Sequence, residues 1–154
     1  MPELPEVENT RRYLIDAGLP NSTFTDIKIG WANTVRTHPV DAFVSQIIGF
    51  QVREVKRRGK YILIPLGSSN SRATYTLIIH LGMTGELQVQ PGSQPAHQML
   101  RHTFHLDNCS ELRFIDSRKF GKLWLTDDPY KVLPILSPEP LGNGFTVEHL
   151  AMSF

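Results

Sequence analysis

The first six residues place a proline and two carboxylates close together, as Pro2, Glu3 and Glu6. Removal of Met1, which is usual before a small second residue, would make Pro2 the amino terminus and leave its secondary amine free. Such an amine can attack the anomeric carbon of a nucleotide and form a charged iminium, which serves as an electron sink for elimination. One carboxylate can protonate a leaving base or an opening sugar ring, while the other holds the amine. Taken alone, the same residues also fit an ordinary second-position proline followed by helix N-terminal acids.

A second candidate group is Lys60, at the end of the basic stretch 50–60. This stretch has five basic residues and one acidic residue, although the whole chain has 16 basic and 15 acidic residues. Lys60 can pair with a phosphate or assist proton transfer, and Gly59 before it allows a tight turn. Together with Arg58, these cations suit a polyanion held at one place. A solvated strand edge guarded by lysine and arginine is the alternative interpretation.

Two glycine-containing turns carry side chains suited to entering a DNA duplex. In the turn 80–85, Met83 has an unbranched side chain that can fill the gap left when a base leaves the stack. In the turn 116–121, Arg118 can reach a base edge or a phosphate, and Phe120 can stack on a base. The alternatives are a core methionine after a strand and a β-turn with a surface arginine and a buried phenylalanine.

The elements that must position these residues are mostly strands. We predict a mostly β (α+β) fold, an eight-stranded antiparallel β-sandwich with two flanking α-helices. Helices are expected at 5–18 and 41–48, each ended by a glycine. The strands are expected where short segments are rich in β-branched and aromatic residues, at 23–29, 51–56, 61–66, 74–81, 85–90, 102–106, 111–116 and 122–126.

The last part of the chain has a different pattern. We assign residues 1–136 to a catalytic β-sandwich domain, and the proline- and glycine-rich residues 137–145 to a linker. Residues 146–154 have apolar side chains at helical spacing, which predicts the start of a second, helical domain. The apolar face of 147–154 would need a partner, so a chain ending there is expected to self-associate through it or leave it disordered.

Composition narrows the class of protein. The chain is 40% hydrophobic and 20% charged, and it has no apolar run near the roughly 18 residues of a membrane span. The single Cys109 excludes an intramolecular disulfide and a thiolate zinc cluster. His102 and His105 would point to opposite faces of a strand and chelate poorly together. We therefore predict that this chain binds no metal and no cofactor. Because it has a single cysteine, we also predict that the protein is located in a reducing cytoplasm.

Five segments in order resemble the formamidopyrimidine-DNA glycosylase family, the base-excision enzymes related to endonuclease VIII. They are residues 2–7, 56–61, 80–85, 116–121 and 137–141. The resemblance therefore covers nearly the whole chain. Leu4 favours the purine-lesion branch, because the endonuclease VIII branch usually has glycine at that position.

The resemblance implies a bifunctional DNA glycosylase and AP lyase. Such an enzyme removes oxidised purines such as formamidopyrimidine and 8-oxoguanine from double-stranded DNA, and then cuts the strand by β,δ-elimination. It implies that Pro2 forms the Schiff base, that Glu3 is the general acid and that Lys60 contacts the phosphate beside the lesion. Glu6 would support this site. The implied DNA contacts are Arg58, His80, Met83, His102, Arg118 (reading the orphaned cytosine) and Phe120.

Two departures from the family pattern limit what the chain is expected to do. Leu100 stands where the family usually has a histidine, which removes one phosphate contact. The helical and zinc-finger module of the family, with its zinc ion, lies outside these 154 residues. We therefore expect a monomeric full-length protein in the bacterial nucleoid, no membrane partner, and weak or absent activity for this fragment. A catalytically degenerate module that binds DNA or a protein is the alternative.

Overall fold

The structure is a computed structural model, and it describes residues 4–132, without the side chain of Leu4. The predictions for Pro2, Glu3, the linker 137–145 and the helix 146–154 lie outside the described residues. In chain order, the elements are α1 (Leu4–Asp16), β1 (Phe24–Ile29), a 3-10 turn (Ala32–Thr34), α2 (Val40–Ile47), β2 (Gln51–Val52), β3 (Lys56–Arg58), β4 (Tyr61–Ser68), β5 (Ser71–His80), β6 (Glu86–Pro91), β7 (Leu100–Leu106), β8 (Ser110–Ile115), β9 (Lys122–Thr126) and α3 (Pro129–Val132).

The strands form two antiparallel sheets, which confirms the predicted sandwich. One sheet has the strand order β1–β7–β8–β6, and the other has β2–β4–β5–β9 with β3 also paired to β4. In the second sheet, His80 at the end of β5 lies opposite Tyr61 on β4 and Lys122 on β9. Glu86 and Ile115 pair at the corresponding end of the first sheet. We call this end of the sandwich the loop end, because the turns 81–85 and 116–121 leave from it.

The core lies between the sheets, with α1 packed against β6, β3 and β4 and α2 packed against β1 at the opposite edge of the first sheet. Phe24 and Phe104 pack across the β1–β7 pair with their ring centroids 5.5 Å apart. Truncating such a buried aromatic side chain to alanine costs about 3–5 kcal/mol. Other fully buried large side chains include Leu14, Leu19, Phe43, Ile47, Ile62, Leu63, Ile64, Leu66, Leu77 and Phe114.

The two predicted helices are present, with shifted boundaries. Helix α1 ends at Asp16, two residues before the expected end, and Gly18 follows with a φ of 87° that stops the helix. Val7 and Leu14 of α1 are buried in the core, whereas Ile15 is exposed. The short α3 was not expected. It begins after Asp128, whose side chain accepts a hydrogen bond from the N–H of Tyr130 at 3.0 Å.

The predicted strand 51–56 is wrong as a single element, so the described residues contain nine strands rather than eight. Val52 pairs with Leu66, and Lys56 pairs with Leu63, so one side of the ladder has one residue more than the other. The extra residue produces a bulge that separates β2 from β3. Pro65 lies opposite the break and has no N–H to donate, although its carbonyl accepts from Arg53 at 2.9 Å.

None of the helices within residues 4–132 is long and apolar enough to cross a membrane.

Candidate nucleic-acid interface

The turns 81–85 and 116–121 bring three predicted contact residues together at the loop end. Met83 is 47% exposed and Phe120 is 48% exposed, so neither is a core residue. The guanidinium of Arg118 lies between the two turns, with its Nη1 atom 3.9 Å from the sulfur of Met83. An exposed methionine, arginine and phenylalanine therefore stand on two adjacent turns, with the arginine against the methionine. Such exposed apolar clusters are typical of interaction sites.

A buried carboxylate holds the two turns in this arrangement. Asp116 is 2% exposed, and one of its oxygens accepts a hydrogen bond of 2.6 Å from the hydroxyl of Thr84. The other oxygen accepts from the backbone N–H of Gly121 at 2.8 Å. The backbone N–H of Arg118 points at the Thr84 hydroxyl (3.2 Å) and at the first Asp116 oxygen (3.3 Å). The Asp116 side chain therefore fixes both ends of one turn and the middle of the other.

The backbones of the two turns also touch. Gly82 has a φ of 65°, and a Cβ atom there would lie 2.6 Å from the carbonyl carbon of Phe120. Any side chain at Gly82 would push the turns apart. From the other side, Arg101 at the start of β7 donates from Nε to the carbonyl of Asp116 at 2.8 Å. The exposed contact residues thus stand on a backbone that is held from two directions.

Basic groups lie on the same end of the five-stranded sheet. Lys60 occupies the two-residue turn between β3 and β4, next to Gly59 with its φ of 57°. His80 and Lys122 are paired across β5 and β9. The pKa of His80 is lowered by burial and by the positive charges of Lys122 and Lys60. Lys60, His80 and Lys122 therefore lie near one another at the loop end.

The ring of His80 has a defined orientation. Its Nδ1 atom accepts a hydrogen bond from the N–H of Gly82 at 3.1 Å, and the ring lies 5.0 Å from that of Tyr61. Because Nδ1 accepts, the neutral ring carries its proton on Nε2. His80 can therefore donate a hydrogen bond from Nε2, and its contact with the DNA backbone stays a prediction.

An ionic network connects α1 to the Lys60 turn. Glu8 on α1 accepts from Arg11 at 2.7 Å and from Arg12 at 2.9 Å. It also accepts from Arg57 on β3 at 3.1 Å, and Arg57 in turn donates to the carbonyl of Gly59 at 3.0 Å. The hydrogen bond from Arg11 is the main cause that lowers the pKa of Glu8 to about 2, followed by those from Arg57 and Arg12 against the opposing effect of burial. This network sets the position of α1, which begins directly after Pro2 and Glu3, relative to Lys60.

Two of the expected DNA contacts are not supported by their placement. His102 is 2% exposed, because it faces inward in phase with Phe104. Its Nδ1 accepts from the N–H of Gly30 at 3.3 Å, and burial lowers its pKa to about 4. Arg58 is 3% exposed, on the face of β3 near Tyr130 of α3. Because both side chains are covered by protein, their placement does not support a direct contact of either residue with DNA.

The supporting residues were missed by sequence reasoning. Thr84, Asp116, Arg101 and Lys122 hold or extend the site, yet each resembles an ordinary polar residue in the sequence. Asp116 did offer a signal, since an aspartate often accepts a hydrogen bond from the backbone two residues on, as it does here from Arg118. Nothing in the sequence connects Asp116 to Thr84, which lies 32 residues earlier.

No group of three or more His, Cys, Asp or Glu side chains suited to a metal ion occurs among residues 4–132. Cys109 is exposed in the turn between β7 and β8. A structural zinc site requires four ligands, usually cysteine and histidine. The donor set of the described residues therefore does not fit a zinc finger.

The comparison with known proteins settles the family. Residues 1–123 match the sequence profile of the formamidopyrimidine-DNA glycosylase N-terminal domain. The chain belongs to this family. It is similar to the formamidopyrimidine-DNA glycosylase of Herpetosiphon aurantiacus, with 41% identity over 98% of this chain and 54% of that protein. The formamidopyrimidine-DNA glycosylase of Protochlamydia amoebophila is 36% identical over 96% of this chain and 52% of that protein.

Solved glycosylase structures show the same fold. The Lactococcus lactis glycosylase, in a complex with DNA containing an abasic site, has a TM-score of 0.76 and 28% identity, covering 90% of this chain and 51% of that chain. The glycosylase MutM, in a complex with DNA containing carbocyclic 8-oxo-G, has a TM-score of 0.76 and 26% identity, covering 88% and 48%. The chain thus spans about half the length of the glycosylases it matches.

Proposed function

We propose that this chain is the N-terminal, catalytic part of a bifunctional DNA glycosylase and AP lyase that removes oxidised purines from double-stranded DNA. Its family membership supports a glycosylase, and the similar solved structures contain damaged DNA. The observation that carries the proposal is the loop end itself. There Met83, Arg118 and Phe120 stand exposed on two turns that Asp116 holds together.

The chemistry is assigned to the amino terminus. With Met1 removed, the Pro2 nitrogen forms a bond to C1′ of the damaged nucleotide, and the bond from C1′ to the base breaks. Glu3 supplies the proton to the leaving base or to the opening sugar ring. The attacking amine loses its proton, and the bond from C1′ to the ring oxygen then breaks with a proton going to that oxygen, which leaves an iminium between the Pro2 nitrogen and C1′. Because the iminium acidifies the neighbouring C–H bond, loss of a proton from C2′ expels the 3′ phosphate, and a second elimination along the opened sugar expels the 5′ phosphate. Glu6, in the exposed first turn of α1, lies four residues after Pro2 in the sequence. We assign it to hold the Pro2 amine by a hydrogen bond.

The described residues supply binding and base extrusion. Lys60 and His80 are assigned to the phosphates beside the lesion, since both lie at the loop end and His80 presents a proton on Nε2. Met83 and Phe120 are assigned to the gap left by the extruded nucleotide, and Arg118 to the base opposite it. Extruding a nucleotide costs a few kcal/mol, which such wedges help to offset.

We further propose that a second, helical DNA-binding domain completes the protein, beginning within residues 146–154. The matched glycosylases are about twice as long as this chain, which supports this division. The 154 residues alone would then hold only part of the DNA, and their activity would be weak or absent. Any zinc would belong to the second domain, because the described donor set does not fit a zinc finger. No step assigned to this chain uses a metal.

Strand cutting and borohydride trapping test the proposal. A duplex containing 8-oxoguanine opposite cytosine should be cut by the full-length protein, and borohydride should trap a covalent protein–DNA adduct with an abasic duplex. The 154-residue chain should give little adduct at physiological salt. An efficient adduct with the 154-residue chain would contradict the need for a second domain. No adduct with the full-length protein would contradict the Pro2 mechanism.

The alternative is a degenerate module that binds DNA or a protein through its basic stretch without catalysis. Retention of Met1 would favour it, because a Pro2 nitrogen in a peptide bond cannot attack. The intact mass of the purified protein distinguishes the two, since loss of Met1 is required for the glycosylase.

A further inference from the structure

Trp31 is an exposed aromatic residue on a rigid loop next to the proposed DNA-contact turns. Its neighbour Gly30 donates its N–H to the carbonyl of Arg101 at 2.7 Å, and a Cβ at Gly30 would collide with that carbonyl oxygen. The carbonyl of Trp31 accepts from the N–H of Thr34 at 3.1 Å. The backbone is therefore fixed on both sides of Trp31, yet its indole remains 38% exposed.

The partner of this indole is Lys119, the residue between Arg118 and Phe120. The Nζ atom of Lys119 lies 4.4 Å from the centre of the Trp31 ring, within the range of a cation–π interaction. Lys119 also has a φ of 60°, a left-handed conformation that is unfavourable for a lysine. The contact with Trp31 is favourable and holds the Lys119 side chain in this turn.

Because the partner of Lys119 is an aromatic ring and not a carboxylate, the ammonium can still bind a phosphate. A carboxylate partner would neutralise the ammonium and would have to be displaced by a phosphate. An aromatic face holds the ammonium in place but leaves its positive charge intact. The one buried carboxylate of this turn, Asp116, already accepts hydrogen bonds from Thr84 and from backbone N–H groups.

We infer that Trp31 is a positioning residue that holds the Lys119 ammonium ready for a DNA phosphate beside the Arg118–Phe120 turn. The inference rests on the proposed function, because it assumes that this surface binds DNA. It adds a flanking phosphate contact to the void-filling residues and explains why a large indole stays exposed on a fixed loop. Exposed apolar side chains that cluster on a surface are typical of a site that binds a partner.

Equilibrium binding of the full-length protein to a duplex with a stable abasic-site analogue tests this inference, measured at several salt concentrations from about 20 mM upwards, since electrostatic contacts are least screened at low salt. Lys119→Met should weaken binding and lower the slope of log affinity against log salt by about one, the value for one lost phosphate contact. Trp31→Ala should weaken binding about two- to fivefold, the equivalent of a lost exposed cation–π contact. Trp31→Phe should restore most of the affinity.

The coupling between the two residues is the decisive readout. Trp31→Ala combined with Lys119→Met should bind no more weakly than Lys119→Met alone, because Trp31 acts through Lys119. Lys131→Met, an exposed lysine on α3, is the control and should leave binding unchanged. Multiplying effects in the double variant, or an unchanged salt slope in Lys119→Met, would overturn the inference. Wild-type protein that binds no duplex would contradict the proposed function itself, and a thermal melt of each variant identifies any loss of folding.

Discussion

The hydroxyl of Thr84 donates a hydrogen bond of 2.6 Å to the buried carboxylate of Asp116, joining two turns that are 32 residues apart in the chain. The same carboxylate accepts the backbone N–H of Gly121. Met83, next to Thr84, and Arg118, two residues after Asp116, are thereby brought within contact distance. The geometry of the exposed surface thus depends on one buried acid that does not itself face solvent.

Replacing this acid should affect both stability and DNA binding. Asp116→Asn would place an amide N–H group against the Thr84 hydroxyl or the Gly121 N–H, both of which donate to the carboxylate in the native protein. We therefore expect the free energy of unfolding to fall by about 1–3 kcal/mol.

Thr84→Val should weaken duplex binding about three- to tenfold, equivalent to about 1 kcal/mol, while Thr84→Ser retains the hydroxyl and the affinity. Urea unfolding and equilibrium binding measure the two effects.

The control is Asp107→Asn, in the turn between β7 and β8 at the other end of the sandwich. Asp107 accepts a hydrogen bond from the N–H of Thr23 at 3.2 Å, so its loss can affect stability. It should not change DNA affinity relative to the folded fraction. Equal effects of Asp107→Asn and Thr84→Val on binding would show that the Thr84–Asp116 pair has no special role.

Truncating Met83 or Phe120 should weaken DNA binding without changing the stability of the fold. Met83→Ala and Phe120→Ala remove side chains that are largely exposed, so the free energy of unfolding should change by less than about 0.5 kcal/mol. Each side chain would be buried in the duplex, so trapping of the abasic adduct by the full-length protein should fall about tenfold. Ile48→Ala, an exposed apolar residue after α2, is the matched control and should trap like wild type. Unchanged trapping in both loop variants would contradict their assignment.

The buried His102 should titrate at low pH. Burial lowers its pKa to about 4, while Asp116 raises it and Arg101 lowers it further. The folded state thus favours the neutral ring, so this contribution to stability is complete above pH 6.5 and is lost as the pH falls towards 4. NMR titration, with His102→Gln to assign the signal, should give a midpoint near pH 4. A midpoint near 6.5 would mean that the ring is solvated and that a DNA contact by His102 must be reconsidered.

The Glu8 network should give a second pH-dependent contribution with a different range. The pKa of Glu8 is lowered from 4.5 to about 2, so its stabilisation is complete above pH 4.5 and is lost as the pH falls towards 2. Because the group is partly exposed, we expect Glu8→Gln to cost only about 1 kcal/mol at pH 7, after allowance for solvent screening. Urea unfolding at pH 7 and pH 3 measures this difference. Glu54→Gln, which removes an exposed pair with Lys56, should show almost no effect, and an equal effect would contradict the network.

Residue types and local spacing identified most of the fold and the exposed part of the site. Alternation and turn residues predicted the sandwich, and the glycine-bounded turns predicted where Met83 and Arg118 lie. The strand break after Val52 was missed because a bulge depends on the partner strand and not on the segment itself.

The errors within the site have the same origin. His102 is in phase with Phe104 and Leu106 on β7, so the alternation of that strand places it inward; the resemblance outweighed this signal. Asp116 and Thr84 meet only because two sheets bring their turns together at the loop end. Long-range contacts of this kind carry no signature in a single sequence.

The central claim is that the Pro2 nitrogen is the nucleophile, and mapping the trapped adduct tests it most directly. The full-length protein is reduced with borohydride on an abasic duplex, digested, and sequenced by tandem mass spectrometry. We predict that Met1 is absent and that the sugar remnant is on Pro2, in the peptide that contains Glu3 and Glu6. A remnant on Lys60 or on any other lysine, with Pro2 unmodified, would contradict the account.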